Sequence, residues 1–210
     1  IIGNGFIMEP RITEGKFNEF VYTTRTMASA VFACGETHDT PRLAARKGEE
    51  VLAKMLTIFN LFLPNAVPFI NSGQEVFEVQ PMNTGVDCGP HEAEALALSD
   101  PLYGKLALFD RYSFHYLHPR RWEMVEAIES ANKLRQQLLP TLLKPKSIKP
   151  LGFSAPWDLA AGFAYPIKGT TWLVIANTDC VNDKIHHIKL DNLAPSQTKT
   201  GTIVEQIYSS

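Results

Sequence analysis

"FACGETHDTPR", residues 32–42, poses the first question of this chain. An apolar run ends at Cys34 and Gly35, and Glu36, Thr37, His38, Asp39 and Arg42 follow at once, side chains able to carry charge or move protons. With Ala30 and Val31 before it, the run reads as a buried strand feeding a polar loop. In an open parallel sheet or a (β/α)8 barrel, catalytic side chains collect where strands end, because there a rigid element aims them into a shared pocket. Alternation along an extended strand sends Cys34, Glu36 and His38 to one side and Gly35 and Thr37 to the other. Spacing alone leaves two readings open. Either the cluster is half of an active site, or Asp39 or Thr40 caps the next helix, His38 is an ordinary loop histidine and Arg42 pairs with Glu36.

Upstream, "IIGNGF" could finish one strand and "GKFNEFVYTTRTMAS" carries Phe17, Phe20, Val21 and Met27 at roughly helical spacing, so that "AVFAC" would complete a βαβ unit. Downstream, "EEVLAKMLTIFNLFL" places Val51, Leu52, Met55, Ile58, Phe59 and Phe62 on a wide apolar face, with Glu49 and Glu50 in the first turn where the helix dipole favours anions. Pro64 stops this helix. "AVPFINSG" is the next strand, with Pro68 awkward for a central position and better placed near its beginning or beside a bulge. The polar cluster "NSGQE", Asn71 to Glu75, then opens onto the rim that Glu36 to Arg42 occupies. Residues 74–119 form an irregular stretch, far longer than the usual connection of about 4 to 6 residues. "RRWEMVEAIESANKLRQQLL" resumes helix, with Met124, Ile128, Ala131, Leu134 or Arg135, and Leu138 on one stripe and Pro140 as its end. "KPKSIKP", residues 144–150, reads as a linker, and the short segments "AGFAYPIK", "TTWLVIANT", "IHHIKL" and "GTIVEQIY" beyond it read as a small antiparallel β domain.

Composition narrows the partners. The 210 residues are 45% hydrophobic, enough for a core, and 20 basic against 22 acidic side chains leave no cationic excess for a nucleic-acid backbone. The longest apolar runs are broken by Asn60, Pro64, Asn65 and Pro68, short of the roughly 18 to 20 residues that span a bilayer. Cys34, Cys88 and Cys180 are odd in number and widely spaced, which suits reduced thiols and a cytoplasmic setting better than a disulfide framework. The chain opens without an initiator Met or a targeting signal and reads as a piece of something longer.

The segment "FACGETHDTPR" resembles the seventh-strand segment of the α-amylase family of glycoside hydrolases and transglycosylases, which ends its strand in Asn-His-Asp. Thr37, His38 and Asp39 stand at those positions, so the Asn is replaced and the His-Asp pair is kept. "AVPFINSGQE" resembles the same family's eighth-strand segment, a Pro before the strand and a Gly-x-Glu after it, matched by Pro68, Gly73 and Glu75. The run on to "VFEVQPMNTG" is most similar to maltosyltransferase-like members. The resemblance implies an α/β fold, with residues 1–143 as the last strands and helices of a (β/α)8 TIM barrel, 144–150 as a linker and 151–210 as a small antiparallel β-sandwich domain, truncated at its end.

The same resemblance implies a retaining enzyme acting on α-1,4-linked glucose oligomers, hydrolase or transferase. Such chemistry needs two carboxyl groups about 5 to 5.5 Å apart as nucleophile and acid/base. In the family these lie on the fourth and fifth strands, so this chain alone is expected to be inactive. What carries over is Asp39 as the carboxylate that stabilises the transition state and His38 as a donor to a sugar hydroxyl, with Glu36 and Arg42 as further substrate-binding residues and Gly73 and Glu75 as structural residues of the rim. No cofactor or metal is implied for this segment, and calcium could bind in the missing part. The expected partners are an α-glucan or maltooligosaccharide and the rest of the barrel or another chain. A noncatalytic relative that keeps the scaffold for sugar binding or subunit assembly is the alternative.

Other constellations are weaker. Cys88 with His91, His115 with His118, and His186 with His187 complete no ligand set, and the last two would point to opposite faces of a strand. "GNG" at residues 3–5 is too short for a phosphate loop. Trp122, Trp157 and Trp172, with Phe153 and Tyr165, could stack on sugars but suit a core or interdomain role better, Trp157 being the best outside candidate.

Overall fold

The structure is a computed structural model that describes residues 27, 29–37, 40, 42–79, 98–99, 119–155, 157–167 and 169–189. The readings of residues 1–26, most of the stretch from 80 to 118, and "GTIVEQIY" lie outside them.

Strand β1 (Val31–Cys34) is followed by helix α1 (Glu49–Leu61) and strand β2 (Ala66–Phe69). The strands pair in parallel with Val31 opposite Ala66 and Cys34 opposite Phe69, so both chains leave the pair at the same end. Helix α1 packs on both strands. Val31, Ala33 and Ala66 face the core, whereas Phe32, Val67 and Phe69 are 55%, 47% and 39% exposed on the other face. Phe32 and Phe69 meet there edge to face, 6.5 Å between ring centroids. Pro68 is the third of the four β2 residues, opposite Ala33, and among the described residues β2 pairs with β1 alone, which leaves one side of the strand free of the ladder that proline interrupts.

In its second half α1 is buried almost all round, from Leu56 to Leu61, as expected of a helix enclosed on several sides. Val51, read as part of its apolar face, is instead 50% exposed. Helix α2 (Arg121–Leu142) lies against α1 and buries Met124, Ala127, Ala131, Leu138 and Leu142, a stripe at helical spacing. It does not stop at Pro140. Gln136 and Pro140 are both exposed, so the carbonyl that Pro140 cannot serve is on the solvated side, and the helix runs on to Leu142.

The 144–150 stretch departs from a solvated linker. Pro145–Ser147 form a 3-10 turn, the Ile148 side chain is fully buried in the main core, and Lys149–Pro150 are strand β3. The chain continues through β4 (Gly152–Phe153), β5 (Ala160–Ile167), β6 (Thr170–Asn177) and β7 (Ile188–Lys189). Among the described residues these strands pair antiparallel, in two small sheets, β3–β5–β6 and β4–β7. Residues 183–187 precede β7 without belonging to it, so His186 and His187 are not strand residues; His186 Nε2 lies 3.3 Å from Asn177 Oδ1.

Strand β5 is covered on both faces. Ala161, Phe163 and Tyr165 join the core built from α1 and α2, and Ala160 and Ala164 join a second cluster with Leu151 and Phe153. Gly162 is required by close approach: a Cβ there would fall 2.6 Å from the Val174 carbonyl oxygen and 2.9 Å from Leu151 Cδ1.

Helix α2 and the sheet together close the end of α1. The last carbonyls of a helix lack partners within it. Arg135 donates to the Leu61 carbonyl, and to Ala66 O at 3.2 Å, while the Tyr165 hydroxyl donates to Phe62 O at 2.6 Å. Phe163 packs between Phe59, tilted at 5.8 Å, and Tyr165, edge to face at 4.9 Å. Burial pushes the Tyr165 phenol far above its ordinary pKa, so it remains a donor. Tyr165→Phe would strand the Phe62 carbonyl, and we expect it to cost about 1–3 kcal/mol in chemical denaturation. A cost below about 0.5 kcal/mol would mean that the bond is replaced by solvent.

Candidate functional site

Because β1 and β2 are parallel neighbours, the residues after Cys34 and after Phe69 emerge side by side. The centre of this rim is the Glu36 carboxylate, 1% exposed. Its Oε1 accepts from Arg42 Nη1 at 2.6 Å and from Asn71 Nδ2 at 3.1 Å, and its Oε2 accepts from the Leu43 backbone N–H at 2.7 Å. Arg42, also 1% exposed, donates from the same Nη1 to the Ser72 carbonyl at 2.9 Å. A buried carboxylate needs a cation and further donors to offset its desolvation, and Glu36 has both.

Beneath it the second loop is held from the helix. Gln74 accepts from the Asn71 backbone N–H at 3.1 Å and donates from Nε2 to Thr57 Oγ1 at 2.7 Å, and the Thr57 hydroxyl donates to Ala53 O within α1 at 2.6 Å. Gly73 sits at φ +96°, which glycine alone adopts without strain, and its N–H donates to Glu75 Oε2 at 2.8 Å. Gly73 and Glu75 thus shape the turn after β2.

Glu36 and Arg42, expected among the substrate-binding residues, present no surface to a sugar; each is buried and occupied by the other and by the two loops. Their geometry supports a structural role. His38 and Asp39 lie outside the described residues. The residues that bracket them are joined: the Thr37 N–H donates to Thr40 Oγ1 at 2.7 Å and the Thr40 N–H to Thr37 O at 3.2 Å. Below the rim, burial pushes the Cys34 thiol above its ordinary pKa, which keeps it protonated and poorly nucleophilic.

Beside the turn after β2, Ile70, Ser72 and Glu75 face Val125 and Ile128 of α2 across an open cavity of about 450 Å³. Among the described residues no three His, Cys, Asp or Glu side chains converge as a metal site would require, and no helix is long and apolar enough to cross a membrane. Of the aromatic candidates, Phe153 and Tyr165 are core residues, Trp172 packs against the core, and Trp122 and Trp157 are 61% and 77% exposed. Cys88, His91, His115 and His118 lie outside the described residues.

Thr57 escaped the sequence reading. A hydroxyl on the buried face of an apolar helix was the available signal, since such a group must find a partner. No family model and no curated protein matches the chain.

Proposed function

We propose that the chain is the C-terminal portion of an α-glucan-active glycoside hydrolase or transglycosylase of the α-amylase type, working by retention on α-1,4-linked glucose oligomers. In this reading residues 1–143 are the last part of a (β/α)8 barrel and the β domain beyond packs against it. Asp39 strengthens its hydrogen bonds to sugar hydroxyls as positive charge develops at the anomeric carbon, and His38 donates to a neighbouring hydroxyl. The nucleophile and the general acid come from barrel strands outside this chain.

One observation carries the reading: the two segments that resemble the family's seventh and eighth strands are adjacent, parallel and joined at their carboxyl ends through Glu36, Arg42 and Asn71. The exposed apolar face of Phe32, Val67 and Phe69 supports it, being the surface that a barrel interior would bury. The test is incubation of the full-length protein with maltotetraose, with products resolved by length and anomeric form. Shorter oligomers, or shorter and longer ones together for a transferase, with retained configuration are expected. Absence of turnover would overturn the enzymatic reading, and binding without turnover would favour the noncatalytic scaffold.

A further inference from the structure

Strand β7 has a weak ladder of its own. It pairs with β4 over two residues, Gly152 with Lys189 and Phe153 with Ile188, and the Ser154 N–H adds one bond to the His187 carbonyl at 3.0 Å. A two-stranded ladder of that length is marginal in water. Ile188 packs against the small cluster of Leu151 and Phe153, and the ring of His186 adds a second hold. That ring meets Phe153 edge to face, 6.1 Å between centroids, and its Nε2 lies 3.3 Å from Asn177 Oδ1 at the end of β6.

The hydrogen on the ring can be assigned from its neighbour. Asn177 Nδ2 donates to the Asn182 carbonyl at 3.1 Å, and Asn177 Oδ1 accepts the Asp179 N–H at 3.1 Å, so the amide is oriented and turns only an acceptor toward the histidine. Nε2 therefore carries the hydrogen and Nδ1 is a bare lone pair. Nδ1 is enclosed and has no hydrogen-bond partner. A second proton would make a charged ring with a buried donor and nothing to accept it, which is costly.

The ring's contacts, Phe153 and Asn177, are not ionisable. Among the described residues, the charged and titratable groups on the segments around it are Asp158, Asp179, Asp183, Lys184, His187 and Lys189. Asp179 is taken by Lys184 at 2.9 Å, and that hydrogen bond holds its carboxyl far below the usual carboxylate range. It therefore keeps its bonds to the Val181 N–H and to Asn182 in mild acid, and the first half of the loop stays in place. The second half has fewer ties, with Ile185 89% exposed and His187 exposed beside the ring.

We propose that His186 is a pH-sensitive latch that fastens residues 185–189 to β4 and β6 while neutral and releases them, β7 included, when both ring nitrogens are protonated. An imidazole in solvent takes up its proton near pH 6.5. Opening is then linked to proton uptake, so the closed form is favoured above that pH and lost as the pH falls through it.

The experiment follows amide hydrogen exchange in the full-length protein at Ser154 and across residues 186–189, at pH 7.5 and 5.5, corrected for the intrinsic pH dependence of exchange. One linked proton gives about 10-fold more opening at pH 5.5 in the parent. His186→Gln keeps a donor for Asn177 and cannot take up a proton, so its opening should change by less than about 2-fold, whereas His187→Gln should behave as the parent. A parent change below about 2-fold, the parent's change persisting in His186→Gln, or its loss in His187→Gln would each overturn the latch. Ring nitrogen shifts of the parent give a reading that needs no variant: the Nε2–H tautomer is expected at pH 7.5, with ring protonation and loop opening sharing one midpoint. The Nδ1–H tautomer, or separate midpoints, would overturn it as well.

Discussion

Arg42→Met should cost the protein about 3–5 kcal/mol, a loss large enough to move the midpoint of chemical denaturation well clear of the parent's. Arg42 and Glu36 are each 1% exposed, 2.6 Å apart. Methionine fills much of the volume of the arginine stem, so the expected loss is electrostatic rather than a cavity effect. It arises because the Glu36 carboxylate keeps its burial and loses its cation, and the Ser72 carbonyl loses its donor as well. Arg42→Lys should recover part of the loss but not all, because a lysine ammonium is a point charge and cannot reproduce the planar reach of the guanidinium. The double variant Arg42→Met/Glu36→Leu should be less damaging than the sum of its single changes, since removing both charges leaves none stranded. It will not return to the parent, because Leu43 N–H and Asn71 Nδ2 would then lack their acceptor. An Arg42→Met loss under about 1 kcal/mol would show that the pair behaves as a solvated surface bridge and that the rim is open.

The strand ends were legible in the sequence and the orientation of their side chains was not. A continuous apolar run closing at Cys34, a helix with Glu49 and Glu50 at its start, and a second run ending at Phe69 lead to a parallel pair with a shared rim, and that pair is present. Whether Glu36 faces substrate or core depends on partners six and thirty-five residues away, Arg42 and Asn71, and no local periodicity encodes such a choice. The 3.6-residue stripe located α2, yet Pro140 misled because its cost depends on which side of the helix the lost carbonyl faces. Lysine and proline made residues 144–150 look like a solvated linker. A single isoleucine, Ile148, joins the main core and pins the stretch there, while Lys144, Lys146 and Lys149 stay exposed. Tyr165 shows the same limit: its hydroxyl caps a carbonyl 103 residues distant, a contact that exists only once α1 and β5 are packed.

Asp39→Asn separates chemistry from scaffold more cleanly than any change at Glu36 or Arg42. The substitution keeps size and hydrogen-bonding capacity on one oxygen and removes the charge, so it tests whether a carboxylate is needed opposite a developing oxocarbenium ion. Preorganised groups of this kind are worth about 10² to 10³ in kcat when removed singly, and a fall of that size on maltotetraose is expected for the full-length protein, with KM changed far less. The denaturation midpoint should stay near the parent's, since the exchange is isosteric and the buried clasp runs through Glu36, Arg42, Asn71 and Leu43. Arg42→Met should show the reverse emphasis, with stability falling first and turnover following the folded fraction. If instead Asp39→Asn destabilises the protein as strongly as Arg42→Met while the folded fraction turns over at the parent's rate, the carboxylate belongs to the loop's own architecture. The His-Asp pair would then share the buried role of Glu36 and would not grip a sugar. The two variants measured side by side therefore decide which carboxylates of the segment 36–43 hold the rim together and which of them act on what binds there.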